Sequence, residues 1–98
     1  MKKAGPASKK VDRETRRREF YAAVDSGEMT LQQLLKLFRK MLGMNQREFA
    51  KFVEVSPRII MAFEQGTGNP TIATVEKMFK GSGLQLTLGR KRRINKVS

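Results

Sequence analysis

Cationic side chains carry most of the chemistry this sequence offers. Lys and Arg number 21 against 9 Asp and Glu, a formal charge of +12 on 98 residues. Residues 1–29 hold 8 basic and 5 acidic side chains, residues 30–83 hold 8 and 4, and residues 84–98 hold 5 and none. The excess is densest at the ends: Lys2, Lys3, Lys9 and Lys10 precede any acid, and Arg90, Lys91, Arg92, Arg93 and Lys96 follow the last one. Because the middle is basic too, the pattern suits neutralisation of nucleic-acid phosphates. Basic tails alone would equally suit an anionic membrane or an acidic protein.

Other chemistry is scarce. There is no Cys and no His, which removes thiolate nucleophiles, cysteine metal sites, the commonest general base and the commonest neutral metal ligand. Catalytic and metal-ligating residues are therefore expected to be none, and no cofactor or small-molecule substrate is implied. No apolar run nears the roughly 20 residues that span a bilayer, and the N-terminus lacks the apolar core of a secretory signal. A small, soluble, cytoplasmic, basic domain with nucleic acid as its expected partner is the reading that remains.

Residues 1–11, with Gly5, Pro6, Ser8 and four lysines, read as a disordered basic arm. Asp12 can cap a helix over 13–26 that stops at Gly27, so the N-terminal helical segment spans 12–27. Phe20, Tyr21, Ala23 and Val24 make only its second half apolar. A helical domain follows over 28–83. Thr30 and Gln33 form a capping box before Leu31, Leu34, Leu35, Phe38, Met41 and Leu42, and Gly43 ends that helix. Asn45 and Glu48 form a second box before Phe49, Ala50, Phe52 and Val53. Ser56 caps a third helix with Pro57 in its first turn, and Gly66 closes it. Thr71 opens a fourth bearing Ile72, Val75, Met78 and Phe79, closed by Gly81.

Leu84-Gln85-Leu86-Thr87-Leu88 then alternates strictly between glycines, the signature of a half-buried strand over 84–89. A lone strand leaves its backbone groups without partners. Antiparallel pairing with the same strand of a second copy would satisfy them, with Leu84, Leu86 and Leu88 on the buried face of a homodimer. The basic C-terminal tail, 90–98, would leave that sheet at its ends.

Two short helices, 46–53 and 57–65, joined by Glu54-Val55-Ser56, have helix–turn–helix spacing. Ala50 is small where the helices must cross, Val55 plugs the turn, and Ile60 and Phe63 anchor the second helix. At 100° per residue, Arg58, Met61, Ala62 and Gln65 then face outward, with Pro57 and Ile59 at the borders. Gln46 and Arg47 stand at a helix N-terminus, whose free N–H groups favour an anion.

With Leu31-x7-Arg39, Asn45-Gln46-x-Glu48-Phe49-Ala50, Val55-Ser56, Ile60, Phe63-Glu64-Gln65-Gly66 and Asn69-Pro70-Thr71 in one register, the chain resembles the Cro/C1-type (XRE) helix–turn–helix family over about residues 30–84. The resemblance implies a mainly α fold, a compact lambda-repressor-like bundle of four to five helices, here with one C-terminal β-strand for dimer pairing. It places the outer face of the third domain helix in the major groove of double-stranded DNA. Arg58 is then the natural base reader, flanked by Pro57, with Ile59 and Ala62 against thymine methyls. Ile59 and Met61 equally suit core or dimer packing. Gln46, Arg47, Ser56, Thr67 and Asn69 are the expected phosphate contacts, although plain turn chemistry also explains Thr67 to Asn69. Arg39 and Glu64 match a pair that the family often joins, and an unpaired Glu64 beside Phe63 would be costly, so they are read as a structural ion pair.

A short strand after the helical domain is similar to antitoxins of the HipB type. That resemblance implies a dimeric repressor of its own operon, on a pseudo-palindromic operator, with a HipA-like toxin kinase as a further partner. A stand-alone phage- or plasmid-type repressor and a protein-interaction bridging module are the alternatives.

Overall fold

Four of the helices start where a side chain satisfies their unpaired N–H groups. A computed structural model of the chain describes residues 6–88, with side chains from residue 13 onward. Five helices follow one another: α1 (Pro6–Ser26), α2 (Leu31–Met41), α3 (Gln46–Val53), α4 (Pro57–Glu64) and α5 (Ile72–Met78). None is long and apolar enough to cross a membrane.

Both arms of both capping boxes are made. Gln33 N donates to Thr30 Oγ1 at 3.1 Å and Thr30 N to Gln33 Oε1 at 2.9 Å. Glu48 N donates to Asn45 Oδ1 at 2.8 Å and Asn45 N to Glu48 Oε1 at 2.9 Å. Ser56 Oγ accepts from Arg58 N, with Pro57 in the first turn, and Thr71 Oγ1 accepts from Thr74 N. These bonds satisfy helix-end donors that would otherwise need water.

The first helix departs from the sequence reading. It begins at Pro6, so residues 6–11 are helical rather than part of an arm, and Asp12 lies inside the helix instead of capping it. Proline suits a first helical position, and Ala7, Lys9 and Lys10 are good helix formers with no breaker after them. Residues 1–5 of the expected arm lie outside the described residues. Gly27, at φ 68°, ends the helix.

Phe38 of α2 organises the core. Its ring lies 5.2 Å from Phe20 of α1, 5.9 Å edge-on from Phe49 of α3, and 5.7 Å from Phe79 just after α5. Leu35, Val53, Ile60, Phe63, Val75 and Met78 fill the space around these rings. One side chain thus ties three helices and the residue that follows α5, with aromatic geometry adding about 0.5–1.5 kcal/mol per ring pair to area burial. α1 packs antiparallel on α2: Arg16 meets the Lys40 carbonyl at one end, while Val24 lies beside Leu31 and Leu34 at the other.

The expected strand does not form among the described residues. Leu84–Leu88 carries no regular secondary structure, since the described residues offer no second strand to bond. The segment instead folds back on the helices. Leu84 and Leu86 pack against the core, Leu86 N donates to Glu76 Oε2 at 3.3 Å, and Leu88 is 98% exposed. The Tyr21 hydroxyl donates to the Ser82 carbonyl at 2.7 Å, which fixes where the segment starts. The expected tail from residue 90 lies outside the described residues.

One backbone position is under strain. Glu54 closes α3 in the left-handed region, at φ 61° and ψ 45°, where a Cβ crowds the backbone and glycine is usual. Glu54→Gly is expected to stabilise the fold by about 0.5–1 kcal/mol, the strain relieved exceeding the entropy that glycine adds to the unfolded chain. In thermal melts this reads as a rise of about 2–8 °C. A lower melting temperature would show that the side chain contributes more than its strain costs.

Candidate nucleic-acid interface

The turn between α3 and α4 is held by backbone and core together. Val55 N donates to the Ala50 carbonyl at 3.0 Å, and the Val55 side chain is buried. Ala50 is 2% exposed, so any larger side chain would push the two helices apart. Ile60 and Phe63 drop into the core from α4. That leaves Pro57, Arg58, Ile59, Met61 and Gln65 exposed on its outer side, with Ile59 at 40% and Met61 at 43%. Ala62 is only half-buried on this side. Its carbonyl accepts from both Thr67 N and Thr67 Oγ1, and the turn at Gly68 passes close to its methyl group. Pro57, Arg58 and Ile59 therefore form the accessible tip, and Ala62 sits behind it.

The expected phosphate-contacting residues fall in three places. Gln46 and Arg47 open α3, Ser56 opens α4, and Thr67 and Asn69 lie in the turn after α4. Arg47, Ser56, Thr67 and Asn69 are all exposed. Two of these side chains already have structural tasks: Ser56 caps α4 and Thr67 closes its C-terminal end. Gln46 is half-buried, and its amide Nε2 donates to Glu64 Oε1 at 3.0 Å. Sequence reasoning missed this bond. Its only signal was the carboxylate itself, since a Glu64 held away from water has more lone pairs than one arginine fills.

Arg39 and Glu64 lie against each other. Arg39 Nε donates to Glu64 Oε2 at 2.8 Å and Nη2 to Oε1 at 3.0 Å, a two-pronged pair, while Nη1 donates to the Met44 carbonyl at 3.1 Å. The side chains are 13% and 2% exposed. Burial pushes the Glu64 pKa up, but hydrogen bonds from Arg39 and Gln46, with the charges of Arg39 and Lys36, outweigh it and hold the carboxyl below its ordinary value. The bond to Glu64 raises the Arg39 pKa in turn, against a smaller opposing effect of burial. The group that most resembles an acid catalyst in this chain is thus an ionised structural anchor.

Breaking one side of a buried pair costs about 3–5 kcal/mol, and the water that reaches Arg39 draws the value toward the lower end. Arg39→Met and Glu64→Gln should each lower stability on that scale, and the double variant should lose clearly less than the sum. Additive losses would show that the two groups are not coupled. Because the folded pKa of Glu64 is depressed, its contribution is present above the unfolded value of about 4.3 and fades as pH falls through the folded one. Glu64→Gln should flatten that acid limb, which chemical denaturation below about pH 4.3 would read. Arg39, raised in the fold, contributes at every pH below its unfolded value and adds no slope there.

Arg39, the capped turn and the exposed tip of α4 occupy a single stretch of chain, and that stretch is where a known family coincides with this sequence. The Helix-turn-helix family model matches residues 35–87, which takes in most of α2, the whole of α3 to α5 and the folded-back leucines, and leaves α1 outside. Neither a curated protein nor a solved structure matches the chain. With more than half of its residues in that match and the turn geometry in place, the chain belongs to the Cro/C1-type (XRE) helix–turn–helix family of DNA-binding regulators.

Proposed function

We propose that the chain is a transcriptional repressor that binds a pseudo-palindromic operator as a homodimer. The observation that carries this reading is the exposed tip of α4, where Arg58 projects beside Pro57 and Ile59 from an anchored helix. In the major groove, Arg58 would bond bidentately to guanine O6 and N7, Ile59 would contact thymine methyls, and Ala62 would line the floor between them. Arg47, Ser56, Thr67 and Asn69 would position the module on the backbone, with the N–H groups opening α3 beside Gln46. Few polar groups face the bases, so DNA shape supplies part of the specificity.

Support for the homodimer comes from the C-terminal segment. Leu84 and Leu86 lie on the helices while Leu88 stands in water at 98% exposure. An open apolar groove of about 470 Å³, lined by Val24, Leu31, Leu34, Phe79, Leu84 and Leu86, runs beside it. Pairing of this segment with its own copy would complete its backbone bonding and cover Leu88. The resemblance to HipB-type antitoxins extends the reading to autoregulation of a toxin–antitoxin operon with a HipA-like kinase as second partner. A kinase gene beside this one would favour that setting over a stand-alone phage- or plasmid-type repressor. The exposure of Ile59 and Met61 favours one competing reading, a protein-interaction bridging module, which would show no sequence preference in competition gel shifts.

Two variants test the reading on duplexes selected from random DNA. Arg58→Ala should cost about 1–3 kcal/mol of specific binding and relax one base pair per half-site, whereas Arg47→Ala should weaken all sequences evenly. Unchanged discrimination in Arg58→Ala would overturn the groove assignment. Leu88→Lys spares the core, since Leu88 touches little of it, and should sediment as a monomer at micromolar concentration. A variant that remained dimeric would place the dimer contact elsewhere.

A further inference from the structure

We infer that the basic face of α1 is a second contact to the DNA backbone, gripping phosphates that flank the part of the site held by the helix–turn–helix. The inference rests on the DNA-binding reading above and adds to it an element that the family match does not include, since the match begins at residue 35.

Three residues of α1 share one face at helical spacing: Arg13, Arg16 and Phe20. Phe20 is fully buried against Phe38, so this face is turned toward α2. Toward its N-terminal end the face runs past the end of its support. Arg16 Nη1 donates to the carbonyl of Lys40, near the C-terminus of α2, at 3.3 Å, and both side chains are exposed. Arg16, Glu19, Leu37, Lys40, Gly43 and Met44 line one shallow depression there. Arg13 lies one turn further out and is exposed. α1 continues to Pro6, about 10 Å beyond Arg13 at 1.5 Å per residue.

This depression lies next to the recognition module. Gly43 and Met44 belong to the connection into α3, and Met44 is tied through Arg39 and Glu64 to Gln46, the first residue of α3. In a helix–turn–helix this end of the first motif helix abuts the DNA backbone. Arg16 and Lys40 therefore sit at the corner that leads into α3, whose first turn carries Arg47, and Arg13 extends that corner outward along α1. Among the acidic residues of α1, Glu19 lines the same depression as Arg16, while Glu14 and Asp25 lie beside Arg17, Arg18 and Tyr21 in a separate one. A rigid helix with cations at one-turn intervals follows a phosphate row without ordering a flexible arm, so less entropy is lost on binding.

The test uses the full chain and a duplex selected from random DNA, in two lengths: trimmed to the selected core, and extended by about one helical turn at each end. Arg13→Gln avoids the bond that Arg16 makes to α2, and Arg18→Gln removes the same charge from the opposite face of the helix. Wild-type protein should bind the extended duplex several-fold more tightly than the trimmed one. Arg13→Gln should abolish that preference, and its slope of log affinity against log salt should fall by about 0.9 for each phosphate it no longer neutralises. Arg18→Gln should keep both the preference and nearly all of the slope. Equal binding of the two duplexes by wild-type protein, or equal effects of the two variants, would overturn the α1 contact while leaving the helix–turn–helix reading intact. Failure of wild-type protein to bind any duplex would overturn both.

Discussion

A single guanidinium sets the frame on which the rest of the molecule hangs. Arg39 spends one N–H on the Met44 carbonyl and two on the carboxylate of Glu64, which also receives Gln46. Those four bonds join the end of α2, the connection that follows it, the start of α3 and the end of α4. Glu64 sits at a helix C-terminus, where the dipole disfavours a negative charge, and is almost cut off from water. The carboxylate is tolerable there only because its partners are complete. An apolar pair could fill the same volume, but it would lack the directional bonds that fix the angle between α3 and α4. The exposed side of α4 points where it does because its buried end is clamped.

The hydrophobic core supplies cohesion where the clamp supplies direction. Phe38 touches Phe20, Phe49 and Phe79, rings drawn from the two ends of the described chain as well as its middle. In a domain this small the fraction of surface buried is modest, so each large ring counts heavily. Phe79 lies just past the end of α5, and the chain turns there in a way that brings Ser82 under Tyr21 and lays Leu84 and Leu86 on the helices.

Most of the bundle was legible because its punctuation is local. Thr30 with Gln33 and Asn45 with Glu48 define helix starts from residues three apart, and Ala50, Val55, Ile60 and Phe63 define the turn from one short stretch. What stayed illegible depends on distant or competing terms. Gln46 meets Glu64 across 18 residues, and nothing nearby in the sequence announces that bond. Glu54 adopts a conformation its type disfavours because the turn, not its own preference, decides the backbone there. Composition misled at residues 6–11, where Gly5, Pro6 and the lysines suggested an arm although proline and lysine suit a helix start equally well. The leucine alternation at 84–88 correctly marks which side chains turn inward first, but a strand is a property of two segments and the described chain holds one.

α1 gains meaning from what its C-terminal half touches. Its Arg16 bonds to Lys40 beside the connection into α3, while its Tyr21 bonds to Ser82 and its Val24 borders the groove beside Leu84 and Leu86. Phe20, between Arg16 and Tyr21, is fully buried, so these contacts hold the C-terminal half of the helix. The family module supplies the recognition geometry by itself; α1, laid on α2 outside the family match, borders both the leucine segment and the connection into α3.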